Sequence, residues 1–248
     1  MLVLAALLAA EVVAVYPSAP VLPKNLLRFY VHFSEPMSRG EAWRRIALLD
    51  ESGKPVELPF LELDQELWDP RQTRLTILFD PGRIKRGVTP KEEIGEALET
   101  GRSYTLVVAR EWADASGKPL ARSHEKKFRV VDEDRAPFDP ANWKVSSPRA
   151  GTRETLVVTL PEPADHALLE RLLRVEGVTG ETSVAANETE WRFVPPQPWR
   201  KGEYRVMIDT RLEDLAGNKV GRPFDVDVFD RVTKKIDAKE VPLVFRVK

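Results

Sequence analysis

The sequence of 248 residues predicts an all-β chain of two tandem antiparallel β-sandwiches. Three observations predict this fold class. The chain repeats itself, short runs of residues alternate between apolar and polar, and turn segments rich in Gly and Pro separate these runs. Each copy of the repeat would be about 120 residues long, an ordinary size for a sandwich with its own hydrophobic core.

Two stretches carry the repeat. Residues 26–37 align with residues 155–164, and residues 104–120 align with residues 204–220, where Tyr, Asp and Gly stay in register. In the first stretch the corresponding positions are Phe29 and Leu156, Val31 and Val158, Phe33 and Leu160, Glu35 and Glu162, and Pro36 and Pro163. The offset is constant within each stretch, 127 residues in the first and 100 in the second, and such similarity indicates two copies of one structural unit.

The first copy, residues 11–131, contains the clearest strand patterns. Apolar residues alternate with polar ones, as expected of strands with one buried face. A hairpin-type loop at 50–55 and the Asp80-Pro81-Gly82 turn separate some of these runs. The predicted strands cover residues 29–33, 46–49, 61–67, 75–79, 104–108 and 127–131.

A helix interrupts the strands of the first copy. Thr89 is placed to cap it, Pro90 fits its first position, and Glu92 completes a capping box. Ile94, Ala97 and Leu98 would form its apolar stripe, and Gly101 would end it. The helix belongs to an insertion, residues 83–100, that the second copy lacks. The outward-facing residues of this insertion would be Lys91, Glu92, Glu93 and Glu96.

A charged linker, residues 132–137, separates the first copy from the second, residues 138–248. The second copy has a short helical stretch at 164–173, where the first has 38–46. Two segments alternate like a last strand, Phe224–Phe229 and Leu243–Val247. We favour the first as the closing strand, because it follows the turn at Gly217 directly, with the second as an added strand.

Composition limits the function classes. Residues 1–131 hold 19 basic and 18 acidic side chains, and residues 132–248 hold 19 and 21. Neither half has the basic excess that nucleic-acid binding needs. The absence of Cys excludes disulfides, thiolate metal sites and Cys nucleophiles. Residues 1–10 are apolar and resemble a secretory signal, although no basic residue precedes them, and they are too short to span a membrane.

The Phe33-Ser34-Glu35-Pro36-Met37 motif, followed by Tyr104, Asp114 and Gly117, resembles the S-layer-type bacterial Ig-like domain. The second copy resembles it through Tyr204, Asp214, Gly217 and Asn218, but has Pro161 and Ala164 in place of the Ser and Met. The resemblance implies an extracellular or periplasmic sandwich that serves as a spacer, adhesion or presentation module. It implies no catalytic residue, because such domains share no active site.

Candidate metal sites are weak in this sequence. The turns that begin at Asp114 and Asp214 offer one carboxylate each, whereas Ca²⁺ needs six to eight oxygen ligands. We interpret them as Asx-turns in which Gly117 and Gly217 adopt positive φ. Glu62, Asp64 and Glu66, with Asp69 nearby, are expected on the solvated face of a strand. The three histidines are scattered, and we predict neither a metal nor a cofactor.

Aromatic residues are the remaining candidates for binding. Trp191 is expected in the core and Trp143 next to the linker. Four others lie near loops or strand ends, where an aromatic ring faces a partner or staples a loop to the core: Trp43, Trp68, Trp112 and Trp199. The sequence therefore predicts a non-enzymatic, exported module of the cell envelope that acts as a spacer or binds proteins. The alternative is a ligand-binding module, for example for polysaccharide, that uses these Trp residues and the insertion.

Overall fold

The structure is a computed structural model that describes residues 9–80, 82, 95–222 and 238–248. The chain divides into two compact units. The first unit is Met1–Tyr16 with Pro20–Asp132, and the second is Pro17–Ala19 with Glu133–Lys248.

The first unit is a sandwich of two four-stranded sheets. One sheet has the order β1-β3-β6-β5 and the other has the order β2-β8-β7-β4. The described pairs are antiparallel except for β2 with β8. The elements are β1 (Val12–Tyr16), β2 (Val21–Pro23), β3 (Arg28–Phe33), α1 (Ala42–Arg45), β4 (Ile46–Asp50), β5 (Leu67–Trp68), β6 (Arg74–Leu78), β7 (Ser103–Val108) and β8 (His124–Val131).

The second unit repeats this design. Its first sheet has the order β12-β13-β10-β9, and its second has β11-β14-β15. A 3₁₀ turn at Pro140–Asn142 precedes them. The elements are β9 (Lys144–Ser146), β10 (Leu156–Thr159), α2 (His166–Leu172), β11 (Leu173–Val175), β12 (Glu181–Ala185), β13 (Glu190–Val194), β14 (Gly202–Asp209) and β15 (Glu240–Val247).

The core of each unit lies between its two sheets, as the alternating patterns predicted. In the first unit, Phe29 of β3 reaches Phe128 of β8 with their ring centroids 5.6 Å apart. In the second, the ring of Trp199 joins the two sheets, because its centroid lies 5.9 Å from those of Phe193 of β13 and Phe245 of β15. The predicted fold class, all-β with two sandwiches, is confirmed, and α2 occupies the helical stretch expected in the second copy.

The closing strand of the second unit differs from our expectation. β15 pairs with β14 so that Phe245 lies opposite Tyr204, just as Phe128 lies opposite Tyr104 in the first unit. β11 covers the other side of β14. β15 therefore takes the position that we favoured for Phe224–Phe229, a segment outside the described residues, because Phe245 supplies the ring that stacks on Tyr204.

Two further predictions need correction. Residues 61–66 are not a strand, and only Leu67–Trp68 of that alternating run pairs as one. Residues 83–94 of the predicted insertion, including Lys91, Glu92 and Glu93, lie outside the described part of the chain. Residues 95–100 are not helical, and Gly95 has a φ of 90°, outside the helical region. Ala97 and Leu98 are nevertheless buried.

Candidate functional site

The four tryptophans proposed as an interaction surface differ in how deeply they are buried. Trp112 and Trp199 are 0% and 3% exposed, so these two cannot face a partner. Their indole N–H groups donate to backbone carbonyls, that of Trp112 to Ser38 at 3.2 Å and that of Trp199 to Glu154 at 2.8 Å. The correction has a physical reason: a large aromatic ring at a strand end is more stable when it closes the sandwich than when it stays in water.

The other two tryptophans are half-buried and lie in the first unit. The ring of Trp68 packs on that of Trp112 at 5.7 Å, so it continues the core toward the surface. The N–H of Trp43 donates to the carbonyl of Leu63 at 3.0 Å, and its ring lines a small surface cavity.

The acidic candidates also differ, because some are held by hydrogen bonds or an ion pair and others are exposed. Glu66 is a structural anchor, because its carboxylate accepts from the N–H of Ala42 at 2.8 Å and from the indole of Trp68 at 2.6 Å. Asp69 accepts from two backbone N–H groups of the turn before β6. Glu62 and Asp64 stay exposed. Glu96, expected to face outward, forms an ion pair with Lys24 at 2.8 Å and is 29% exposed.

The two Asp–Gly turns are Asx-turns, as predicted. The Oδ1 of Asp114 accepts from the N–H groups of Ser116 and Lys118 at 2.8 and 3.0 Å. The Oδ1 of Asp214 accepts from those of Ala216 and Asn218 at 2.8 and 2.9 Å. Gly117 and Gly217 have φ of 84° and 85°. The positive φ that we predicted for these two glycines is confirmed.

A cluster of three carboxylates surrounds the second turn. Oxygen atoms of Asp134, Glu162 and Asp214 lie within 4.8 Å of one another. Asp134 lies in the segment before the 3₁₀ turn, Glu162 follows β10, and Asp214 begins the turn after β14. The Asn218 side chain joins them, since its Nδ2 donates to Asp214 Oδ2 at 2.8 Å and to the Asp134 carbonyl at 3.2 Å. We call these three acids the carboxylate cluster.

The carboxylate cluster is arranged to hold a proton. Burial, a hydrogen bond with Asp134 and the charges of Asp134 and Asp214 raise the pKa of Glu162 to about 8. Burial, and then repulsion by Asp134, raise the pKa of Asp214 to about 7, although the Asn218 hydrogen bond lowers it. A carboxylate beside another carboxylate in a buried place binds a proton that it would lose in water.

The oxygens of the carboxylate cluster are ligands of the type that a hard cation binds, but they are few. Each of the three acids brings one oxygen to within 4.8 Å of the others, fewer than the six to eight that Ca²⁺ takes, and the Asn218 side chain turns an N–H donor toward Asp214. The sequence reasoning missed this cluster. One feature of the sequence pointed toward the cluster. Glu162 and Asp214 align with Glu35 and Asp114 of the first copy, and this alignment places Glu162 and Asp214 near the same turn.

No family model matches this chain, and no curated protein matches it in sequence. Among solved structures it is similar to the S-layer protein rSbsC, with 12% identity and a TM-score of 0.34 over 81% of this chain and 23% of that one. It is also similar to a part of alpha-2-macroglobulin from Escherichia coli, with 10% identity and a TM-score of 0.32 over 96% and 71%. This chain thus spans less than a quarter of the S-layer protein's length. Likenesses at this level leave the function open.

Proposed function

We propose that this protein is a non-enzymatic, exported module of the cell envelope that holds other parts at a distance and binds protein partners. The observation that carries the proposal is the repetition of one closed scaffold. Sheet order, turn geometry and aromatic pairs recur in both units. A rigid sandwich made twice suits spacing and presentation, since binding residues are commonly carried on loops of such scaffolds.

The polar side chains of the turns support a structural role. Asp50, Asp69 and Asp114 each accept hydrogen bonds from backbone N–H groups of their own turn. Carboxylates used in this way fix loops, whereas a catalytic acid or base must reach a substrate in a cleft. Three cavities in the described part of the chain border exposed side chains and have volumes of about 160, 320 and 350 Å³.

Export is the part of the proposal that rests on residues 1–10. This apolar stretch ends in small residues, as secretory signals do. Among the described residues, the helices are all too short or too polar to cross a membrane. A chain without cysteines would rely on its two cores, rather than on disulfides, for stability outside the cytoplasm.

Fractionation of bacterial cells tests the envelope role. The full chain with a C-terminal epitope tag is expressed beside a version that lacks residues 2–10. We expect the full chain in the periplasm or medium, in protease-sensitive form once the outer membrane is opened, and the shortened chain in the cytoplasm. Finding both versions in the cytoplasm would contradict the proposal.

A polysaccharide-binding module is the second candidate, and the cavity beside Trp43 favours it. Sugar rings stack on open aromatic faces, and Trp43 borders a cavity. A glycan array with the purified full chain distinguishes the two candidates. Binding that disappears in Trp43→Ala, with Trp68→Phe as the matched control, would favour the polysaccharide role, and a blank array favours the protein-interaction role.

A further inference from the structure

A small pocket lined by mostly apolar residues, with Glu62 among them, lies beside Trp43 in the first unit. Its volume is about 160 Å³, and its walls are Trp43, the edge strand β4 and the segment 55–62. We call it the Trp43 pocket. An engineered apolar cavity of about 150 Å³ is large enough to admit benzene. The Trp43 pocket therefore has room for one bulky apolar side chain.

The pocket exists because the chain leaves β4 and then turns away from it. The N–H of Val56 donates to the carbonyl of Leu48 at 2.8 Å, so the hairpin begins as a close pair. Farther on, Phe60 is drawn into the core, where its ring packs on that of Phe79 at 5.2 Å. The segment between these two attachments bridges a gap beside β4, and Trp43 forms the wall of that gap.

Leu58 at the edge of the pocket is unusual in two respects. Its φ is 40°, in the left-handed region that a leucine rarely adopts because its Cβ is strained there. Its side chain is also 50% exposed, so burial offsets little of this strain in the unbound protein. Strained residues of this kind concentrate at ligand-contacting sites. Leu58 is thus positioned to close over a bound apolar group.

The segment 51–69, which contains one wall of the pocket, is strongly acidic, whereas residues 39–45 on the Trp43 side contain three Arg and one Glu. Residues 51–69 contain six acidic side chains and one basic side chain, a net charge of −5 (1 − 6), whereas the whole chain has −1. Glu62 lines the pocket itself, and neither Glu62 nor Asp64 forms an ion pair with any described residue. An exposed negative field of this kind attracts cationic partners and raises their association rate.

We propose that the Trp43 pocket binds a segment of a partner protein in which one bulky apolar side chain is flanked by Lys or Arg. The apolar side chain fills the gap between Trp43 and Leu58, and the cationic groups lie against Glu62 and Asp64. This assignment rests on the proposed protein-interaction function and specifies the chemistry of the partner.

A peptide titration with the purified full chain tests the assignment. The probe is the fluorescein-labelled heptapeptide Gly-Lys-Lys-Leu-Lys-Lys-Gly, followed by fluorescence polarisation at low and high salt. We expect saturable binding that weakens about tenfold when Ser replaces the central Leu, and that weakens with added salt. A peptide with Glu in place of every Lys should not bind, because the pocket repels it.

Two variants locate the binding site. Leu58→Gly removes the apolar edge and relieves the positive φ, so binding should weaken about tenfold while the urea midpoint stays or rises. Glu62→Gln should weaken binding and reduce its salt dependence. The matched control is Val13→Ala, because Val13 is an equally exposed apolar residue of the first unit, on β1, and its loss should leave the affinity unchanged.

Several outcomes would overturn the assignment. They are equal affinity for the Leu and Ser peptides, no binding of any peptide, and equal binding by Leu58→Gly and the parent. Binding of a neutral oligosaccharide at Trp43 without peptide binding would overturn it in favour of sugar. The titration is independent of fractionation: its failure removes this partner and leaves the envelope role, whereas a cytoplasmic location removes the envelope role whatever the titration gives.

Discussion

The turns at Asp114 and Asp214 have the same backbone conformation, but they shift the pKa of their aspartates in opposite directions. Each aspartate accepts from N–H groups two and four residues ahead, and each turn ends with a glycine at positive φ. Each also bridges to its equivalent segment, Asp114 to Met37 and Asp214 to Ala164. Yet the pKa of Asp114 is lowered and that of Asp214 is raised to about 7.

Both side chains are little exposed, at 6% and 3%. Burial is the largest cause of the raised pKa of Asp214, whereas at Asp114 hydrogen bonds to the carboxylate outweigh burial. In the first unit the hydroxyl of Ser116 donates to the Asp114 carboxylate at 2.6 Å and, with the turn's N–H groups, lowers its pKa. In the second unit Ala216 stands in place of that serine, and Glu162 and Asp134 approach instead. A repeated turn therefore keeps its shape and changes its chemistry through a few neighbours.

The largest expected effect is an opposite response of the two units to pH. The folded-state pKa values of Glu162 and Asp214, about 8 and about 7, lie above the ordinary 4.5 and 3.8, so folding takes up protons. The contribution of the carboxylate cluster is full below about pH 4 and is lost as the pH rises toward 8. Repulsion within the cluster contributes to both pKa values, so the two shifts cannot simply be added. We expect the free energy of unfolding of the second unit to fall by an amount on the order of 3 kcal/mol.

The first unit should show the reverse sign at its turn. The lowered pKa of Asp114 contributes stability above its ordinary value of 3.8, which is lost as the pH falls below that value. Urea unfolding of the full chain at several pH values, read by hydrogen exchange on peptides from β7 and β14, separates the units. Parallel loss of stability in β7 and β14 between pH 4.5 and 8 would contradict the comparison.

A single substitution should remove much of this pH dependence. Glu162→Gln keeps the shape of the protonated acid and can donate to Asp134, but it cannot ionise. We expect a gain of about 1–2 kcal/mol for the second unit at pH 8 and little change at pH 4.5. The matched control is Glu35→Gln, because Glu35 holds the same place in the first copy and is exposed. An equal gain in the two variants would show that the cluster has no special role.

The smallest expected effect is a loss of stability on replacing the turn glycine, and it should be equal in the two units. Gly117→Ala and Gly217→Ala each place a Cβ at positive φ, which costs about 1 kcal/mol. At Gly117 the added Cβ meets no atom within 4 Å, so the cost there comes from the backbone alone. Thermal unfolding at pH 6 measures both. Unchanged stability in either variant would mean that the glycine is not required for its turn.

The sequence could predict the turns because their determinants are local. The carboxylate, the N–H groups it accepts from and the glycine all fall within five residues of Asp114 or Asp214. It could not predict the carboxylate cluster, because Glu35 and Glu162 occupy the same place in the repeat. What distinguishes them is Asp134, which belongs to a linker segment that the repeat does not cover.

For the loop aromatics the sequence allowed both a partner-facing role and a role as staples on the core, and the structure gives Trp112 and Trp199 the second. Alternation indicates which residues of a strand face the core, but Trp112 and Trp199 follow strands and turns, where no period applies. The closing strand of the second unit shows the same limit. Phe224–Phe229 and β15 both alternate, and only the pairing of Phe245 with Tyr204 decides between them.

The parallel pairing of β2 with β8 has a mechanical consequence. Val21 lies beside Arg129, and backbone bonds of 2.9 Å at both ends, Arg129 to Pro20 and Lys24 to Val131, extend the contact. If the chain is pulled from the start of β2 and the end of β8, the two strands slide past each other, because they run in the same direction. Tension then loads these hydrogen bonds together rather than one after another, so the first unit resists stretching along the line joining those two points.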